Sequence, residues 1–173
     1  ERLVGICSRD DVGAVGALLY FPDDTIQHAG VVVSGETGNH LFREMPRGNY
    51  GYFNLADCQR QLSAVTAACL MTTRVVFKQV NGFEEGLSVC YNDVDYCLKL
   101  RSRGFHIVYT PEVEMYHHES LSRGVDLSGS KLAREKREHA FLYNRWADFY
   151  AKGDPFFSPN VRQEYPLNSW YCF

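Results

Sequence analysis

The chain has 173 residues, 45% of them hydrophobic and 23% charged, which is room for one ordinary domain with its own core and excludes disorder, collagen and coiled coil. Eighteen Lys and Arg against 21 Asp and Glu leave a net charge of −3, so no chain-wide basic field recruits nucleic acid or an anionic membrane. Aromatic residues make up 14%, enough to fill a core or to line a binding groove.

Residues 12–21 (VGAVGALLYF) form an apolar run rich in strand formers, closed by the turn signal Pro22-Asp23-Asp24. Residues 26–33 (IQHAGVVV) then read as a second short strand returning beside the first. The Gly-, Asn- and Arg-rich stretch 34–52 predicts a long surface connection of the kind that often carries function. Residues 64–73 (AVTAACLMTT) are apolar on both faces, which predicts a central strand covered on each side. A short helix over 74–80 should stop at Asn81-Gly82, a left-handed stop signal. The helix predicted over 92–103 carries Val94, Cys97, Leu98 and Leu100 inward, has cations near its end and Gly104 just past it. Residues 105–110 alternate as a strand, Pro111 should break it, and 113–118 form another extended segment. Leu132, His139, Ala140, Tyr143, Trp146, Ala147 and Tyr150 fall on one face of a long helix over 131–152, and the tail 153–173 shows no period. Strands alternating with helices predict an α/β class.

Three constellations could carry chemistry. Asn92-Asp93-Val94-Asp95 opens a helix, with Glu84 and Glu85 shortly before it. One reading is capping, with Asn92 as N-cap and Asp95 at the third helical position; the other points one carboxylate into a cleft to accept a proton, and both hold if Asp95 caps while Asp93 is exposed. Tyr116-His117-His118-Glu119-Ser120 is followed by Ser122-Arg123-Gly124. Adjacent strand residues face opposite sides, so His117 and His118 do not ligate one ion together, whereas a single His with distant carboxylates completes a metal shell and Ser120, Ser122 and Arg123 suit phosphate oxygens. Gly82-Phe83-Glu84-Glu85 reads as a turn. There is no P-loop and no GxSxG elbow, and the one GxxG, at Gly13–Gly16, lies inside a strand.

The six cysteines are scattered without a CxxC pair and read as reduced thiols. No apolar stretch approaches the ~20 residues a spanning helix needs, and the start has no basic region followed by an apolar one. Glu1 in place of an initiator Met predicts a processed chain or a piece of something larger.

Taken in order, the segments 12–33, 63–85 (ending NGFEE), 92–124 (NDVDYCLKLRSRGFHIVYTPEVEMYHHESLSRG) and 144–160 resemble the C-terminal half of the catalytic domain of family 2 glycosyltransferases, GT-A-fold enzymes that use nucleotide-sugars. The ordered combination GFEE, NDVDYCLKLR and YHHESLSRG is more specific than any one of them. The resemblance implies an inverting transferase, of hexosyl or rhamnosyl type, that moves a sugar from a nucleoside-diphosphate donor to a saccharide or lipid-linked acceptor in polysaccharide biosynthesis of the bacterial envelope. Its Asp93 matches the catalytic base, and Asn92 stands where many relatives have Glu. His117 matches a residue beside the metal and diphosphate, whereas His118 occupies a position that is often aromatic. Gly82, Glu84, Asn92, Asp95, Ser120, Ser122 and Arg123 are implied substrate-binding positions.

The same resemblance implies a divalent cation, Mg²⁺ or Mn²⁺, whose main carboxylate ligands belong to a nucleotide-binding half that this sequence lacks; Asp10-Asp11 and Asp23-Asp24 do not fit that motif. It divides the chain into an acceptor and catalytic part, 1–125, and a C-terminal helix and tail, 126–173. It further implies inactivity of the chain alone, self-association through an exposed sheet edge, and a cytoplasmic location peripheral to the inner membrane. Two rivals stand beside it. One is a non-catalytic carbohydrate- or protein-binding module, and the other is a metal-dependent hydrolase built on His117, His118 and Asp93 with His28 or His106 as a further ligand.

Overall fold

A computed structural model describes residues 1–34, 37–118 and 129–158. Its centre is the strand β1 (Val12–Tyr20), buried along all nine residues because it has sheet neighbours on both edges and packing on both faces. The long strand β7 (His106–Tyr116) lies parallel to β1, running from Val12 beside His106 to Tyr20 beside Tyr116. On the opposite edge of β1 two short antiparallel strands sit end to end: β2 (Ile26–His28) beside Leu19 and Tyr20, and β6 (Leu70–Met71) beside Val15 and Gly16. The strand β5 (Arg60–Leu62) closes the order β2-β1-β7-β5 by pairing antiparallel with β7. This is a mixed α/β sheet, in agreement with the expected class.

The return after β1 is shorter than the apolar run suggested. The chain breaks at Ala29-Gly30, with Gly30 at a φ of 100°, and Leu62 Cδ1 would lie 1.8 Å from any Cβ added there. Beyond it, β3 (Val31–Ser34) and β4 (Thr37–His40) make a separate two-stranded sheet. The region expected to be a surface connection therefore begins with a hairpin and buries Leu41 and Phe42.

Residues 64–73 are not a central strand. Ala64 bridges to Val31, the chain turns through a single helical turn at Ala67–Cys69, and only Leu70–Met71 pair with β1. Burial without extension satisfies the apolar composition, and the Thr66 hydroxyl caps the turn by accepting from the Ala68 amide at 3.3 Å. Pro111 does not end its strand either. β7 continues through it by a bulge, the register moving from Ala17 beside Thr110 to Leu18 beside Glu114, which takes the residue without an N–H out of the ladder.

Helix α1 (Arg2–Cys7) covers one face of the sheet, with Leu3 and Ile6 against Val12, Val15 and Val108. The other face holds the main core. Helix α2 (Arg74–Gln79) ends as expected at Asn81 and Gly82, both with positive φ. Helix α3 (Asn92–Ser102) buries Val94, Tyr96, Cys97, Leu98 and Leu100, each large apolar side chain contributing about 2 kcal/mol. Its N-cap is Tyr91, in the left-handed region at φ 64°, and Asn92 is the first helical residue rather than the cap.

The expected long C-terminal helix is two, α4 (Gly129–Arg145) and α5 (Ala147–Lys152), broken at Trp146. Its buried positions include Glu138 and Leu142, while Leu132 and Tyr143 of the expected apolar stripe are exposed. Glu138 accepts from the Ser88 hydroxyl at 2.9 Å and the Cys90 amide at 2.6 Å, so α4 holds the loop that leads into α3. Among the described residues no helix is long and apolar enough to cross a membrane, and Cys7, Cys58, Cys69, Cys90 and Cys97 are free thiols.

Candidate functional site

Helix α3 is followed by a tight turn into β7, whose first residue lies beside Val12. The helix therefore runs antiparallel to β7, and its N-terminus points toward the carboxyl ends of the parallel pair β1 and β7. That end is where open α/β sheets bind their ligands. His117, the residue after β7, donates its amide to the Tyr20 carbonyl at 2.9 Å and so marks the same end.

Asp93 is the second residue of α3 and half-buried. Its Oδ2 accepts from the Ala67 amide at 3.0 Å and its Oδ1 from the Val94 amide at 2.9 Å. A carboxylate offers about four lone-pair positions, so two backbone donors fix its orientation and leave capacity on each oxygen for a proton from outside. Asp95 is different. It is 0% exposed, its Oδ1 accepts from Trp146 Nε1 at 2.9 Å and faces Arg145 Nε at 3.5 Å, and its Oδ2 lies 3.6 Å from Lys99 Nζ. Asp95 does not cap α3; it is the buried anion that joins α3 to the α4–α5 break.

Glu84 belongs to that network through Arg145, at 2.5 Å. The bond from Arg145 holds the Glu84 carboxyl below the usual carboxylate range. The Gly82 carbonyl accepts from Lys99 Nζ, and a Cβ at Gly82 would meet the Phe77 ring at 2.6 Å. Gly82, Glu84 and Asp95 thus gather on the α4 side of α3, while Asp93 faces the turn at Ala67. Ser120, Ser122 and Arg123 lie outside the described residues.

His117 is half-buried, and its Nδ1 is 2.7 Å from Gln27 Oε1. As an N–H donor to that oxygen, Nδ1 leaves Nε2 with the lone pair, the tautomer a metal ligand needs. No hydrogen bond joins His117 to Asp93; the residues between them are Gln27, His28 and the Thr66–Ala67 turn. His28 is fully buried and accepts from the Thr66 amide through Nε2 at 3.4 Å, while its Nδ1 meets His40 Nδ1 at 3.1 Å. Burial, with His40 a smaller cause, pushes its pKa well below the ordinary histidine value, so the ring is neutral. Apart from the weighing of His28 as a metal ligand, sequence reasoning missed Gln27 and His28. The signal was a polar pair inside an otherwise apolar strand.

The hydrolase arrangement does not form. Both ring nitrogens of His28 are engaged, and His106 opens the eleven-residue β7. That puts it at the far end of the sheet, on the order of 30 Å from His117 at about 3.3 Å per residue. Among the described residues no group of three His, Cys, Asp or Glu side chains could hold a metal ion.

No protein-family model matches the chain, and no solved structure matches it. The chain is similar to an uncharacterized protein, y4gI, of Sinorhizobium fredii, with 42% identity over 98% of the chain and 19% of that protein. It is also similar to the O-antigen biosynthesis protein RfbC of Myxococcus xanthus, with 37% identity over 93% of the chain and 12% of that protein. An N-acetylglucosaminyl-diphospho-decaprenol L-rhamnosyltransferase of Mycobacterium tuberculosis is 28% identical over 80% of the chain and 48% of its own length. The chain therefore spans less than half the length of each of these relatives. Proteins named for O-antigen biosynthesis and for rhamnosyl transfer cover most of this sequence, including the helix that carries Asp93, at modest identity.

Proposed function

We propose that the chain is the base-carrying part of an inverting glycosyltransferase of the GT-A type, which moves a hexose or rhamnose from a nucleoside-diphosphate donor to a saccharide or lipid-linked acceptor. The observation that carries this reading is Asp93. Its carboxylate is held by the Ala67 and Val94 amides at the end of α3 that points toward the carboxyl ends of β1 and β7, in a chain whose relatives include a rhamnosyltransferase.

Asp93 takes the proton of the acceptor hydroxyl as that oxygen attacks the anomeric carbon and the bond to the departing diphosphate breaks. One base and a single displacement give inversion at that carbon. A bound divalent cation, Mg²⁺ or Mn²⁺, supplies charge compensation on the leaving diphosphate. His117 would hold it as one ligand, through Nε2. The chain by itself is expected to be inactive and to associate through its sheet edge. The reaction belongs at the cytoplasmic face of the inner membrane, where a lipid-linked acceptor is presented.

The test is a screen of common nucleotide-sugars with Mn²⁺, measuring donor hydrolysis and transfer by this chain and by a longer natural form of it. Turnover is expected in the longer form alone, reduced about 10³-fold by Asp93→Asn, within the usual range for loss of a general base. Turnover that survives Asp93→Asn would remove the proposed base.

A further inference from the structure

We propose that His28 is a positioning residue for Asp93, acting through the Thr66–Ala67 turn; this rests on the reading of Asp93 as base. Two consecutive amides of one turn serve two side chains. The Thr66 amide donates to His28 Nε2 at 3.4 Å, and the Ala67 amide donates to Asp93 Oδ2 at 3.0 Å. Fixing one amide plane limits the rotation of the next, because only φ and ψ of Thr66 lie between them. The carboxylate is thus aimed by a turn that is itself held by a buried ring.

The ring is held in turn. His28, in β2, pairs antiparallel with Leu19 of β1, and its Nδ1 meets Nδ1 of His40, in β4, at 3.1 Å. Because Nε2 accepts from an amide, Nδ1 carries the proton and His40 Nδ1 accepts it, which assigns one tautomer to each ring. The rings cross edge to face with centroids 5.0 Å apart, and the His28 ring also meets Tyr109 edge to face at 6.5 Å. The sheet, the β3–β4 hairpin and the turn at Ala67 therefore converge on one buried imidazole, and its output is the position of one carboxylate oxygen. Core packing alone asks only for an apolar side chain of this size. An imidazole with both nitrogens engaged is what a hydrogen-bonded turn asks for.

Leu and Gln separate the two requirements. His28→Leu fills the space but offers no acceptor, whereas His28→Gln places its Oε1 near the position of Nε2 and restores an acceptor for the Thr66 amide. Amide hydrogen exchange on the chain is the first readout. In His28→Leu the Thr66 and Ala67 amides should exchange at least tenfold faster while the amides of β1 and β7 keep their protection, and His28→Gln should restore both. Asp93→Ala should release Ala67 and leave Thr66 protected. Unchanged Ala67 exchange in His28→Leu, or acceleration spread evenly over β1 and β7, would overturn the inference.

The second readout is transfer by the longer natural form. His28→Leu should lower kcat at least tenfold with the donor KM within twofold, and His28→Gln should recover most of it; equal losses in the two variants count against a positioning role. Exchange behaving as expected in a protein that transfers no sugar would retain the coupling of His28 to Asp93 and sink the glycosyltransferase reading instead.

Discussion

Replacing Asp95 by Ala should destabilise the fold by about 3 kcal/mol, a figure that follows from which partners are stranded. Asp95 is 0% exposed, so truncation leaves its partners without their buried anion. Removing one member of a buried pair costs ~3–5 kcal/mol, most of it the penalty of the charge left behind. Lys99 is the stranded charge, with its side chain 12% exposed, but it keeps the Gly82 carbonyl. Arg145, 35% exposed, keeps Glu84 and contributes little. The Trp146 N–H loses its acceptor, and an unsatisfied half-buried donor costs about 1 kcal/mol. The lower end of the range is therefore expected, lowering the unfolding midpoint by roughly 6–12 °C for a chain of this size. Asp95→Asn keeps an acceptor for Trp146 and loses only the charge, so it should cost about half as much. Urea and thermal unfolding followed by circular dichroism measure both, and a double-mutant cycle with Trp146→Phe should return a coupling of about 1 kcal/mol. A loss below ~1 kcal/mol for Asp95→Ala, or no coupling to Trp146, would refute the structural role argued from this network. If turnover then fell in the same variant, Asp95 would return to the substrate-binding role that its sequence position implied.

Stability should also depend on pH through His28. Its folded pKa lies below the unfolded value, so below about pH 6.5 the unfolded chain takes up a proton that the folded ring resists, and stability falls by up to ~1.4 kcal/mol per pH unit until the folded pKa is reached. The contribution is complete above pH 6.5, and His28→Gln should flatten this part of the profile measured by urea unfolding. Thiol labelling should be graded: exposed Cys58 reacts in the native chain, while Cys97, buried and pushed up to about 12, and Cys7 react only on unfolding. Uniform native labelling of all three would contradict the packing. Gly16→Ala should lower the urea midpoint by the equivalent of ~1–3 kcal/mol, because the added Cβ lies 2.5 Å from Val65 Cβ in the segment leading to Thr66. An unchanged midpoint would mean that this segment shifts freely.

How much of this was legible in the sequence depends on whether local or tertiary bonds decide each element. β1 is readable because nine successive buried positions leave a composition that fits little else. α3 is readable because its apolar spacing, basic end and Gly104 agree. Residues 64–73 were misread because an apolar run reports burial and not extension. What bends them is the Thr66 cap together with bonds to His28 and Asp93 from distant segments. The break at Trp146 was equally hidden, since its indole is committed to Asp95, 51 positions earlier. The buried face of α4 was misassigned because one of its inward residues is a carboxylate, Glu138, which no apolar stripe marks. At the site, Asp93 could be named from its motif, whereas its support could not, because His28 and Ala67 come from segments that meet it only in the folded sheet.

The spacing of the two acids in α3 explains why they do different work. Residues two apart on a helix point about 200° away from each other, so no rotation of α3 brings Asp93 and Asp95 to one face. Asp95 buries its carboxylate among Lys99, Arg145 and Trp146, and that anchor sets the rotation of the helix about its axis. With the rotation set, Asp93 faces the opposite side, where the Ala67 amide meets it. The orientation of the proposed base thus has two independent supports, a buried ion network behind the helix and a histidine-held turn in front of it. Weakening the first should loosen the whole helix and appear as lost stability. Weakening the second should leave the helix in place and appear as misdirected chemistry, so the two classes of variant separate the scaffold of this site from its aim.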